Sequence, residues 1–172
     1  MSTDSSPKIL SVDGVREFAC FPAAVVVMLI NDQERFLVGR HLKRRKWECV
    51  SGALEANETL VEGGLRELRE EMGPDVRAKP LGVIHASSFH YDQNARFMLS
   101  VVYVMAYEGG VVRPGDDMSD EFRWLSLEEI KAHTPRVTIP MYDWLFEDAL
   151  VNFRRWRHRD VELQARLRGR GS

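Results

Sequence analysis

Three glutamates, Glu67, Glu70 and Glu71, stand three and four residues apart in the segment GALEANETLVEGGLRELREEMG, which runs from Gly52 to Gly73. At helical spacing such side chains share one face, where their like charges repel. Opposite-sign pairs four residues apart, Glu62 with Arg66 and Arg66 with Glu70, explain an exposed charged helix. They leave unexplained why Glu67 faces Glu71 near the helix C-terminus, where the macrodipole also disfavours anions. A carboxylate cluster of this kind asks for a cation. Hard oxygen ligands suit Mg2+ or Mn2+, and carboxylates holding such an ion can bring water to a polyanionic phosphorus while offsetting its charge.

A loop and a helix must carry these groups. Thr59 followed three residues later by Glu62 reads as a capping box, Gly73 suits the left-handed position after a helix, and Pro74 prevents continuation. The helix is therefore expected over Leu60 to Met72. Leu60, Val61, Leu65, Leu68 and Met72 recur at helical spacing and bury one side, which turns the glutamates toward a cleft or solvent. Gly63 and Gly64 each cost the helix about 0.5–1 kcal/mol relative to alanine, so their presence points to close packing on a neighbouring strand.

Gly52, five residues, Glu58, seven residues, Arg66-Glu67-Leu68, one residue, Glu70-Glu71, one residue and Gly73 resembles the Nudix box of the Nudix hydrolase superfamily. Only the closing aliphatic position departs, being Pro74, and Ser51-Gly52-Ala53 stands where a paired glycine is common. The resemblance covers about residues 20 to 150. It implies an α/β fold: an α/β/α sandwich with a mixed β-sheet, the box as loop-helix-loop, and a C-terminal helix. It also implies Mg2+ or Mn2+ as cofactor, with Glu67, Glu70 and Glu71 as metal ligands and Gly52, Glu58 and Gly73 supporting them. Arg66 would orient a glutamate rather than touch substrate. The general base stays open between Glu67 and an acidic residue of a later loop, for which Asp120 and Glu121 in DDMSDEFRW are the candidates. A solvated acidic turn is the plain alternative for that loop.

The activity so implied is hydrolysis of a phosphoanhydride bond in a nucleoside diphosphate linked to another group. A nucleoside triphosphate giving nucleoside monophosphate and pyrophosphate leads, with dinucleoside polyphosphates and nucleotide sugars behind it. A non-catalytic nucleotide-binding regulatory module is the alternative of another class, and retention of all three box glutamates argues against it. ADP-ribose hydrolases of the family carry a proline about fifteen residues beyond the box, where Phe89 stands here; dinucleoside polyphosphate hydrolases carry a tyrosine slightly farther on, where Tyr91 stands.

Two basic clusters bear on substrate. HLKRRK, His41 to Lys46, precedes the Trp47 to Gly52 segment, so Arg44 or Arg45 could meet substrate phosphates, while a solvated loop is the plainer role for the rest. The C-terminal FRRWRHRDVELQARLRGRGS carries seven arginines against Asp160 and Glu162. Leu150, Phe153, Trp156, Val161, Leu163 and Leu167 are spaced so that a helix docks there with its arginines toward water, a reading preferred to nucleic-acid binding.

The chain has 172 residues, 44% of them hydrophobic, and a formal net charge of −2, which suits one globular domain and argues against wholesale nucleic-acid binding. Cys20 and Cys49 have no paired spacing and read as free thiols of a cytoplasmic protein. No stretch approaches 18 apolar residues, so no membrane span is expected. A homodimer is compatible with all this. Residues 1–19 form an N-terminal extension with a hairpin of Ile9 to Val12 and Val15 to Phe18, residues 20–150 the hydrolase domain, and residues 151–172 the helix end and basic tail. AAVVVMLI, Ala23 to Ile30, reads as a strand buried on both faces. Further strands are expected over Arg35 to His41, Val76 to His90, Arg96 to Glu108 and Phe122 to Leu125, then helices from Leu127, capped by Ser126 with Glu129, and from near Pro140.

Overall fold

The computed structural model describes residues 8–92, 97–115 and 118–168, and their side chains except at 8, 119, 120 and 160–168. Among these residues the elements run β1 (Lys8–Leu10), β2 (Glu17–Ala19), β3 (Ala23–Ile30), β4 (Phe36–His41), β5 (Trp47–Glu48), β6 (Val50–Ala53), α1 (Leu60–Met72), β7 (Arg77–Phe89), β8 (Met98–Gly109), β9 (Met118–Leu125), α2 (Leu127–Lys131), β10 (Val137–Ile139) and α3 (Trp144–Arg168).

The β-branched run of β3 is the spine of an eight-stranded mixed sheet. It lies parallel to β8 along its whole length, and antiparallel to β6 from Ala24 to Val27. β4 touches β3 only at Ile30 and Phe36, then swings away to pair with β9 and β5, and β10 runs parallel to β5. Alternation along β3 sends Val25, Val27 and Leu29 into a core with Leu68 and Met72 of α1. Val26, Met28 and Ile30 enter a second core with Leu145, Phe146, Ala149, Leu150 and Phe153 of α3. The sheet is thus covered on both faces, as an α/β/α sandwich.

Helix α1 spans the expected residues, and both halves of its capping box form at Thr59 and Glu62. Glu62 spends its carboxylate on the Thr59 amide and hydroxyl, at 2.9 and 2.8 Å, so the expected Glu62–Arg66 pair gives way to the cap. Gly64 explains itself by space: a Cβ there would lie 2.8 Å from Met105 Cε and 3.3 Å from Val27 Cγ2. α2 carries a second capping box at Ser126 and Glu129.

Elsewhere the chain departs from its sequence signals. The β1–β2 hairpin is shorter, with Lys8–Leu10 paired to Glu17–Ala19, because Ser11 to Arg16 close a longer turn through backbone bonds between Ser11 and Arg16 and between Gly14 and Ser11. Asp120 and Glu121 lie in β9 rather than in a loop, since β9 begins at Met118 and is held by β4. Pro140 follows β10 instead of opening the last helix, which starts at Trp144. Two C-terminal arginines do not simply face water: Arg154 Nε bonds both Glu34 oxygens at 2.9 and 3.0 Å, and Arg157 reaches Asp32 at 3.2 Å. Both acids belong to the β3–β4 turn. Trp156 packs over Gly82, whereas the Val161, Leu163 and Leu167 side chains lie outside those described.

Candidate functional site

Gly52 and Arg66 set the geometry around the box glutamates. Gly52, on β6, presses its Cα against Glu67: a Cβ at that position would stand 2.0 Å from Glu67 Oε1 and 2.4 Å from Oε2. No larger residue leaves room for the carboxylate. Arg66 is the hub. Its Nε donates to Glu58 Oε1 at 2.7 Å, Nη2 to Glu58 Oε2 and to the Ala53 carbonyl at 3.0 Å each, and Nη1 to Glu67 Oε1 at 2.8 Å and Glu70 Oε2 at 3.0 Å. Glu58 is braced in turn by the Glu55 amide at 2.9 Å. One guanidinium therefore ties the box loop to three carboxylates, and the Glu67 charge is not left unpaired as the spacing suggested.

Burial separates the glutamates. Glu67 is 12% exposed and Glu70 58% exposed. Burial raises the Glu67 carboxyl above its ordinary range, opposed by Arg66. Burial also pushes Glu71 up to about 8, reinforced by the Glu67 and Glu48 charges and opposed by a backbone bond from Ser51 and by Arg44. Glu71 Oε2 is buried without a hydrogen-bond partner. A buried, orphaned carboxylate oxygen beside a second carboxylate is costly unless a cation meets it. Among the described residues no three acidic, His or Cys side chains already converge on one point as a finished ligand set. The donors are nonetheless all hard oxygens, and the orphaned atom belongs to one of them, which fits a divalent ion such as Mg2+ or Mn2+.

The remaining candidates are dispersed. Arg44 turns back onto Glu48, with Nη2 to Oε2 at 2.6 Å. Arg45 occupies the left-handed position of the β4–β5 turn, at φ 55°, and its side chain is exposed. Tyr91 is 57% exposed beside Phe89, ring centroids 6.2 Å apart. Glu121 pairs with Arg40 at 2.5 Å. On β4 a single residue, Arg40, separates Gly39 and His41, whereas three residues, Ser119 to Glu121, separate their β9 partners Phe122 and Met118. The result is a bulge that re-aims Glu121. The Asp120 side chain lies outside those described.

Sequence reasoning missed Glu48 and Arg40. Glu48 is 1% exposed and electrostatically coupled to Glu71; an acid in a two-residue strand carries no periodic signal of burial. Arg40 sits next to Gly39, whose Cα lies against Met72 of α1. Cys49 is fully buried, and burial together with the Glu71 and Glu48 charges drives its thiol pKa upward, so it is no nucleophile.

Comparison with known proteins accords with this geometry. The family model of the NUDIX domain matches residues 21–145. Phosphatase NudJ of Escherichia coli (strain K12) is 32% identical over 111 residues, covering 63% of this chain and 71% of NudJ. An NAD-capped RNA hydrolase of Schizosaccharomyces pombe is 30% identical over 111 residues, 63% of this chain but only 28% of that much longer protein. A NUDIX-family hydrolase from Clostridium perfringens superposes with a TM-score of 0.61 at 20% identity, covering 74% of this chain and 95% of the other, a likeness of fold.

Proposed function

The chain belongs to the Nudix hydrolase superfamily, enzymes acting on substrates linked through a nucleoside diphosphate, and we propose that it hydrolyses a nucleoside triphosphate to the monophosphate and pyrophosphate. The observation that carries this reading is the Arg66-braced carboxylate group with its orphaned Glu71 oxygen. Glu67, Glu70 and Glu71 would hold Mg2+ or Mn2+, which when bound offsets phosphate charge and makes a water acidic enough to attack. Arg66 keeps Glu67 and Glu70 in place and does not itself meet the substrate. Glu58 fixes Arg66 from the loop side. Arg40 and Arg44 supply cations at the β4–β5 edge, which favours a polyanionic triphosphate over a singly charged ester. For the general base, Glu67 and Glu121 are the two candidates: Glu67 lies within the carboxylate group, and the β9 bulge turns Glu121 out beside Arg40.

Dinucleoside polyphosphates are the second reading, favoured by the exposed Tyr91–Phe89 pair, which offers an aromatic surface to a second base. Nucleotide sugars complete the panel. Release of phosphate products from these three classes, with Mg2+ or Mn2+, decides among them. Glu70→Gln should lower turnover at least about a hundredfold on the best substrate. Equal activity of the two proteins, or none on any nucleotide, would overturn the catalytic reading.

A further inference from the structure

Glu48 is the buried charged side chain of the described core, 1% exposed. A carboxylate so placed is costly unless paired, and its partner is Arg44. Arg44 Nε lies 3.1 Å from each Glu48 oxygen, Nη2 lies 2.6 Å from Oε2, and the Thr138 hydroxyl of β10 approaches Oε1 at 3.4 Å. The two partners differ sharply in exposure. Arg44 is 51% exposed, so the pair is an anion rooted in the core holding a cation at the surface. Nη1 takes no part in these bonds, which leaves one edge of the guanidinium for an outside anion.

The turn fixes Arg44 from the backbone side as well. The Lys43 and Arg44 amides both point at His41 Nδ1, at 3.2 and 3.4 Å, and the Arg45 amide bonds the His41 carbonyl at 2.8 Å. These bonds order the turn that carries Arg44. Glu48 stands four residues before Gly52, whose Cα abuts the Glu67 carboxylate, so the pair is rooted in the same β5–β6 segment that meets the box, and the Arg44 and Glu48 charges both act on Glu71.

We propose that Glu48 is a positioning residue that holds Arg44 beside Glu71, and that Arg44, rather than Arg45, is the cation of the basic turn that grips a substrate phosphate. The inference rests on the reading of Glu67, Glu70 and Glu71 as a phosphate-handling site. A free arginine loses side-chain freedom on gripping phosphate; one already held by Glu48 has lost it in folding, and binding tightens accordingly. A purely structural pair would behave otherwise, tying β5 to β10 and influencing stability alone.

Inorganic pyrophosphate with Mg2+ is the probe, since its binding does not depend on which nucleotide is the substrate. Calorimetry should show Arg44→Ala and Glu48→Gln each weakening pyrophosphate about tenfold, the weight of a charge-assisted hydrogen bond. The double variant should be no weaker than Arg44→Ala, because Glu48 acts only through Arg44. With the best nucleotide of the panel, KM should rise by a similar factor while kcat holds within about twofold. Arg45→Asn, which suits the left-handed turn, should have the smaller effect. Native-like pyrophosphate binding by Glu48→Gln, additive losses in the double variant, an Arg45 effect equal to that of Arg44, or no binding by the native chain would overturn the proposal. Should Glu48→Gln fail to fold, unaltered binding by Arg44→Ala overturns it equally. If the nucleotide panel fails while the pyrophosphate cycle holds, the substrate reading falls and this one stands.

Discussion

At the residue scale, the box works by excluding atoms as much as by placing them. A methyl group at Gly52 would occupy the space of the Glu67 carboxylate. Gly52→Ala should therefore push Glu67 off Arg66 and cost hydrolysis about tenfold or more, while the melting temperature moves little; kinetics and thermal melts on the same preparation check both halves. Glu71 makes a second prediction, about pH. Its carboxyl rises to about 8 in the folded chain through burial, then the Glu67 charge, against an ordinary value of 4.5. Between those values the folded metal-free chain holds a proton that the unfolded chain has lost. Stability from this group is thus fully present below about pH 4.5 and is lost as pH rises toward 8. Melting in EDTA across pH 5 to 8 should show that decline, and Glu71→Gln should flatten it; an unchanged slope would clear Glu71. The glutamates, Arg66 and Gly52 were legible as letters at fixed spacing. The charge balance was not, because Arg66 reaches Glu58 and the Ala53 carbonyl across a loop whose path no spacing specifies.

At the element scale, α1 is held by local chemistry at its start and by a distant segment at its end. Its start is a capping box, readable from Thr59 and Glu62. Its end is held by a segment forty residues on: the Arg113 amide bonds the Met72 carbonyl at 2.7 Å, and the Gly115 amide bonds that of Glu71 at 2.8 Å. Those bonds satisfy carbonyls that a helix terminus leaves open. A Cβ on Gly115 would fall 1.8 Å from the Glu70 carbonyl oxygen, a backbone atom that cannot step aside. Gly115→Ala should accordingly destabilise the fold by about 1–3 kcal/mol in denaturant titration, and should weaken Mn2+ binding because the displaced turn carries Glu70 and Glu71. Retained stability would mean the loop can shift freely. The start of the helix was legible because capping is local; the 113–115 clamp was not, because glycine tolerance depends on which backbone arrives opposite.

At the scale of the whole molecule, the two faces of the sheet divide the labour. α1 and the box lie on one face, α3 on the other, with Phe153 1% exposed and Phe146 edge-on to Phe36 at 5.0 Å. Phe153→Ala should cost about 3–5 kcal/mol of stability, with KM of the remaining folded enzyme unchanged. Deleting the chain after Trp156 removes the exposed Arg157–Asp32 pair, worth at most about 1 kcal/mol, and should leave KM within about twofold; a large rise would give the C-terminal arginines a part in binding. No helix among the described residues is long and apolar enough to cross a membrane. The sequence by itself determined the box helix, its N-terminal capping box, the doubly buried central strand and the spacing of the carboxylates, because these depend on spacing within about twenty residues, where side-chain period and capping act directly. Only the tertiary structure decided that Glu48 is buried against Arg44, that Glu121 sits on a strand bulge opposite Arg40, and that Glu71 keeps an oxygen without a partner. The burial of Glu48 beside Thr138, the bulge at Glu121 and the orphaned Glu71 oxygen each depend on segments distant in the chain meeting in one register, and a carboxylate's charge is felt by whatever that register brings within reach.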